Sequence, residues 1–453
     1  MTAGAQELLG RLALRELSAR EAVEWHVRRI EDVNPRLNAV VVPLFDEALR
    51  AADGADRARA RGEKLGPLHG LPVTVKETFH VAGTPATAGV GALAGRAPAG
   101  DAPLVARLRE AGAIVLGKTN LAQLIWFNEA DNPIYGRTNN PWNVERAPGG
   151  SSGGEGAIVA AGGSPLGLGT DSGGSVRFPA HCCGVHALKP TSGRLPAEGT
   201  TDELILAGQS TVQNSAGLLA RSVDDLRLVL DVLAGPVEPA PIAGLAVGVC
   251  EDDGVFTPSP AVGRAVREAA AALAERGAEV RAFTPPDVAE AIELFETLFR
   301  ADGGAHLREL LGESERDPRI ERTIAGMSVS EVSLGAVAAY QARFAAALAA
   351  SGIDALVCPP LGFPAPRHGT SVELRPGQSY GALFNLLGMP AGTVAASRVQ
   401  PSEEGLREVD RASAGLPVGV QVTAPHGRED VVLGVMSALE DAFRELNGYP
   451  ALF

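Results

Sequence analysis

The sequence predicts an α/β fold organised on one large sheet, and three observations carry that expectation. Strand and helix signals alternate through residues 71–116. Strand patterns return late in the chain, at 355–358 and 418–422, where they can complete the sheet begun earlier. No linker in the 453 residues forces a division, although length alone would allow about three domains. The chain is therefore expected to be a single domain, 1–453. It comprises an N-terminal helical segment (1–65), a core bearing the Gly/Ser motifs (66–240), a mainly helical insertion (about 250–350) and a return to the sheet (351–453).

In order along the chain, Ser18-Ala19-Arg20-Glu21 has the form of a capping box. Ala22, Val23, Val27 and Ile30 follow at helical spacing, so an amphipathic helix begins there and is expected to end at Pro35. A short strand near 39–42 leads to an Ala-rich helix near 46–61, and Gly66-Pro67-Leu68-His69-Gly70 makes a turn. Leu71-Pro72-Val73-Thr74-Val75-Lys76 reads as a buried strand that ends in a lysine. A helix over 102–109 and a strand over 113–116 come next. Within 149–174 the order should be loop, helix of small residues, short strand, loop. Prolines at 236, 239 and 241 mark a connection to a strand over 243–249, and 260–350 is mainly helical.

Composition narrows the function. A chain that is 45% apolar and 21% charged can bury a large core without disulfides or metal. Its formal net charge of −14 provides no basic footprint for nucleic acid and suits a small neutral substrate better. Cys182, Cys183, Cys250 and Cys358 have no metal-ligand spacing, which fits a reducing cytoplasm. The N-terminus has no basic segment followed by an apolar one, and no apolar run reaches the length of about 18 residues expected of a membrane span.

Two motif matches mislead. Residues 112–119, Gly-Ala-Ile-Val-Leu-Gly-Lys-Thr, satisfy the P-loop expression, but the four variable positions should be flexible backbone and here read as the strand itself. Gly150-Ser151-Ser152-Gly153-Gly154 satisfies G-x-S-x-G, with Asp354, His368 and His426 as nominal partners for Ser152. That elbow must follow a strand directly, whereas a Pro-Gly turn precedes it here.

The chemistry concentrates in two glycine loops that carry serines, 148–154 and 167–177. The helix and strand between them would bring Ser151 and Ser175 together. Gly173 and Gly174 let successive N–H groups converge on one point, as a tetrahedral oxyanion requires. A serine needs a neighbouring base to attack at neutral pH. Lys76, at the end of an apolar strand, could serve if burial lowers its pKa to around 7 or 8, with Ser151 relaying the proton to Ser175. His181 and His186 keep a Ser-His pair open, though both are expected to be packing residues. Asp171 and Arg177 are expected to hold the second loop, with Thr170 in support, and Arg177 could alternatively meet a substrate carboxylate.

These residues, together with Gly184-Val185-His186-Ala187-Leu188-Lys189-Pro190-Thr191, closely resemble the amidase signature family. Within it, Ser152-Gly153-Gly154-Glu155-Gly156-Ala157 and the Lys76-Glu77 pair are most similar to fatty acid amide hydrolases and related bacterial amidases. The resemblance implies a three-layer α/β/α sandwich around a large mixed, twisted sheet. It implies Lys76, Ser151 and Ser175 as catalytic lysine, bridging serine on a cis peptide, and acyl-enzyme serine. It places an oxyanion hole on the N–H groups of Ser172, Gly173, Gly174 and Ser175, and the acyl side of the pocket at Ile125, Trp126 and Phe127. The implied activity is amide hydrolysis on small aliphatic or aryl amides, without metal or cofactor and without a membrane span. The alternative is the amidase subunit of a tRNA-dependent amidotransferase, and a homodimer stays open.

Overall fold

The computed structural model describes residues 3–450 apart from Gly208, Leu406 and Asn447. Thirteen strands are found among the described residues. They are β1 (Val40–Pro43), β2 (Pro72–Lys76), β3 (Ile114–Thr119), β4 (Asp131–Asn132), β5 (Gly136–Arg137), β6 (Leu166–Asp171) and β7 (His186–Lys189). The remainder are β8 (Ser215–Ala220), β9 (Ala246–Val249), β10 (Glu279–Ala282), β11 (Ala355–Cys358), β12 (Ala391–Arg398) and β13 (Pro417–Thr423). Eleven of them form one mixed sheet in the order β1-β3-β2-β6-β8-β7-β12-β13-β11-β9-β10, flanked by helices, while β4 and β5 pair separately. The α/β expectation holds.

The sheet is parallel where β2 lies between β3 and β6, antiparallel from β6 through β8, β7, β12 and β13 to β11, and parallel again at β11-β9-β10. β2 is buried along its whole length, so its residues face protein on both sides of the sheet. Pro72 is tolerated because it is the first residue of the strand. The late strands β11 and β13 join the sheet begun by β1 to β3, as expected, and β12, which was not expected, lies between β7 and β13. Residues 250–350 are not only helical, since β10 closes the far edge beside β9.

The first helix boundary is corrected. The helix of the capping box runs Ala19–Leu37 with Pro35 inside it, and Asn38 in the left-handed conformation ends it. Proline's fixed φ is helical, and its cost is a missing N–H one turn before the end. The last turn closes nonetheless, because Asn38 N–H donates to the Asn34 carbonyl at 2.7 Å. The Asn34 side chain then accepts from the N–H groups of Ala39 and Val40 and leads the chain into β1.

The helix Gly153–Ala160 is buried throughout and made of small residues. A Cβ on Gly154 would lie 2.5 Å from Asn120 N and 2.7 Å from Ala39 O, so only glycine lets the helix sit this close to the chain around β1 and β3. That close approach fixes where Ser151, just before the helix, can lie.

Candidate active site

Three neighbouring features of the sheet build the site. β2 carries Lys76 at its end, β6 carries Thr170, and the loop before the helix Gly153–Ala160 carries Ser151 after a cis Gly150–Ser151 peptide. Lys76 Nζ donates to Ser151 Oγ at 2.7 Å and to Thr170 Oγ1 at 2.7 Å. The second serine loop follows β6, and its contact with the first is direct, with Ser152 N–H donating to the Ser175 carbonyl at 3.1 Å. Ser151, Thr170, Ser172, Gly173 and Ser175 line one cavity. Lys76 is fully buried behind it. The expected catalytic residues are thus gathered, with the Lys76–Ser151 bond formed and Ser175 half-buried on the same cavity.

Burial pushes the Lys76 ammonium down to about 8, against the opposing pull of the Asp202, Asp171, Glu155 and Glu77 charges. Lysine at that value has a substantial neutral fraction near physiological pH, which is what a general base needs. Nearby Glu155 accepts from the hydroxyls of Thr74 (2.6 Å) and Thr119 (2.8 Å). Burial nevertheless raises it to about 8.

Asp171 organises the second serine loop. Its carboxylate accepts from Gly174 N–H at 2.7 Å and Val176 N–H at 3.2 Å, and pairs with the Arg177 guanidinium at 2.9 and 3.0 Å. Burial alone would raise its pKa, but the charge and hydrogen bonds of Arg177, the Lys189 charge and the Asn385 amide hold it well below the usual carboxylate range. Gly174 N–H is committed to the loop, which leaves Ser172, Gly173 and Ser175 as the expected oxyanion donors without an acceptor among the described residues. Gly174 has φ +118, and a Cβ there would collide with the Phe178 ring. Ser172 Oγ is tied to Asn214 Oδ1 at 2.7 Å.

Arg177 is fully buried and also donates to Gln421 Oε1 and Asn385 Oδ1. It holds the loop and does not line the cavity. His181 Nε2 meets the Phe363 carbonyl, its Nδ1 accepts from Gly419 N–H at 3.0 Å, and burial lowers it to about 4. His186 bonds Tyr449. Both are packing residues, as expected. Ser152 Oγ bonds the Thr170 carbonyl at 3.3 Å, while Asp354, His368 and His426 each bond backbone elsewhere, so no triad forms around Ser152. The P-loop match lies on β3, and Lys118 donates to the Pro85 carbonyl.

Ile125, Trp126 and Phe127 all line the cavity. Sequence reasoning missed a further part of the lining, where Ile292, Phe295, Glu296 and Phe299 come from the helix Val288–Arg300 and Arg375 from a later turn. Trp126 packs edge-on to Phe299 with ring centroids 6.2 Å apart, and Phe295 meets Phe299 at 4.7 Å. Arg375 pairs with Glu296 at 3.0 Å. The signal available was phenylalanines four apart on a helix in a chain only 4% aromatic. Among the described residues no His/Cys/Asp/Glu cluster could hold a metal, and no helix is long and apolar enough to cross a membrane.

Residues 21–433 of this chain match the Amidase family model. The chain belongs to that family, enzymes that hydrolyse amide C–N bonds. The acylamidase of Rhodococcus erythropolis is 33% identical over 482 residues, covering 96% of this chain and 94% of that protein. An indoleacetamide hydrolase of Bradyrhizobium diazoefficiens is 44% identical over 289 residues, covering 60% of this chain and 54% of that protein. A solved fatty acid amide hydrolase superposes with a TM-score of 0.89 at 27% identity, covering 98% of this chain and 85% of that one.

Proposed function

We propose that this enzyme cleaves small aryl or aliphatic amides through an acyl-enzyme on Ser175, with Lys76 as base and Ser151 as relay. The observation that carries the reading is the 2.7 Å bond from Lys76 Nζ to Ser151 Oγ, with the lysine buried behind the cavity and Ser151 on it. Lys76 can reach a bound substrate only through such a hydroxyl. Neutral Lys76 takes the Ser151 proton as Ser151 takes that of Ser175, and Ser175 Oγ forms a bond to the amide carbonyl carbon. The oxyanion is met by N–H groups of the loop 172–175. As the C–N bond breaks, the proton returns through Ser151 to the leaving nitrogen. Water then attacks the ester by the same route and frees Ser175.

The apolar, aromatic walls favour an aryl or aliphatic acyl group. Four free, buried cysteines suit the cytoplasm. The test is labelling with a fluorophosphonate together with ammonia release from a panel of aryl, aliphatic and amino-acid amides. Label on Ser175, lost in Ser175→Ala, with release from aryl amides is expected. Ammonia release that needs glutamine and partner subunits would favour the amidotransferase reading instead.

A further inference from the structure

Asn128 lies close to the reacting groups and was not expected there. It is 2% exposed and lines the cavity that Ser151 and Ser175 share. Its Oδ1 accepts from Gly150 N–H, the residue before Ser151, at 2.7 Å. An N–H can only donate, so this bond settles which end of the amide is oxygen. The Nδ2 end meets no acceptor among the described residues. Among the described residues, Trp126 Nε1 is the other buried side-chain polar atom of this lining without a partner, and it too is a donor. Among the described residues of this lining, no buried side-chain acceptor is without a partner.

Two fixed donors without acceptors are destabilising by themselves, and a ligand oxygen that meets them removes that cost. We propose that Asn128, assisted by Trp126, selects amides whose acyl group carries a hydrogen-bond acceptor near the scissile bond, such as an ether, carbonyl or hydroxyl oxygen. A hydrocarbon acyl group of the same shape leaves both donors buried and unpaired, and is disfavoured for that reason. The proposal rests on the amidase reading above and adds a polar requirement to an otherwise aromatic pocket. The acceptor must lie close to the reaction centre, because Asn128 is anchored beside Ser151.

Phenoxyacetamide and 3-phenylpropanamide test this, since they differ by an ether oxygen in place of a methylene. Binding is measured calorimetrically on Ser175→Ala, which removes differences in chemical reactivity, and turnover is measured on the wild type. The Ser175→Ala protein is expected to bind the ether about five- to tenfold more tightly. Adding Asn128→Asp keeps an oxygen for Gly150 N–H but replaces the donor by an acceptor, so the preference should vanish or invert. Adding Trp126→Phe, which keeps an aromatic ring, should reduce it at least twofold. Equal binding of the two amides, or a preference unchanged by both substitutions, would overturn the proposal. If Asn128→Asp does not fold, the Trp126→Phe ratio decides in the same way. Failure of the amidase reading looks different: Ser175→Ala would bind the ether selectively while the wild type cleaved neither amide.

Discussion

Lys76 Nζ stands 2.7 Å from Ser151 Oγ, and of the two side chains only Ser151 lines the cavity. A buried amine that meets the cavity through a hydroxyl is shielded from bulk water, which is the condition under which its neutral form persists.

The pH dependence follows from that burial. Lys76 is lowered to about 8 and in the proposed mechanism acts in its neutral form, so kcat/KM should rise about tenfold per pH unit below pH 8 and level off above it. Lys76→Ala should lower kcat by roughly 10² to 10⁴ and abolish this inflection. Initial rates of ammonia release between pH 6 and 10 measure both, and a flat wild-type profile would remove Lys76 from the role.

Ser151→Ala should slow fluorophosphonate labelling of Ser175 by roughly 10²-fold or more, because the proposed relay is lost and Lys76 keeps only its bond to the Thr170 hydroxyl. KM for an aryl amide should change far less than kcat. A variant labelled at the wild-type rate would show that the proton travels another way.

Arg177→Met should destabilise the protein by about 3–5 kcal/mol, since it strands the Asp171 carboxylate in a fully buried site. The double variant with Asp171→Asn should cost less than the sum of the single variants, because the two residues form one ion pair. Urea denaturation of the four proteins gives the coupling, and strict additivity would refute it.

Glu155→Gln should change how stability depends on pH. Burial raises the Glu155 carboxyl to about 8, while the unfolded value is near 4.5. Between those values the folded state holds a proton that the unfolded chain has released. Stability therefore falls as pH rises through the window, by about 1.4 kcal/mol per unit for this one group. The glutamine variant should lack that contribution, so its unfolding free energies at pH 5 and pH 7 should differ less than those of the wild type. An identical slope in both proteins would mean that Glu155 is ionised throughout.

The motif-bearing half of the site was legible because each signal is local. Glycine runs permit only certain backbone shapes, and an apolar strand ending in lysine announces a buried amine. Ser151, Ser175 and Lys76 could be named from such patterns, and so could the strand identity of the false P-loop at 112–119. The helix end at Pro35 was misjudged because the closing hydrogen bond and the Asn34 clamp involve residues whose pairing is set by the turn itself. Phe295, Phe299 and Arg375 stayed hidden, because an apolar residue on an amphipathic helix looks the same whether it faces core or cavity.

By itself the sequence determined the α/β class and pointed to the candidate side chains and the loops able to present them, since these follow from residue type and spacing along the chain. The tertiary structure alone decided that Thr170 shares Lys76 with Ser151, that Asp171 claims Gly174 N–H, and that Asn128 lines the cavity with its Oδ1 bonded to Gly150 N–H. Those are contacts between segments from 22 to 94 residues apart, or the choice of which N–H within one loop is used. Such choices depend on where the sheet and the buried helix place each backbone to within a hydrogen bond's length, and no local pattern in the chain encodes that distance.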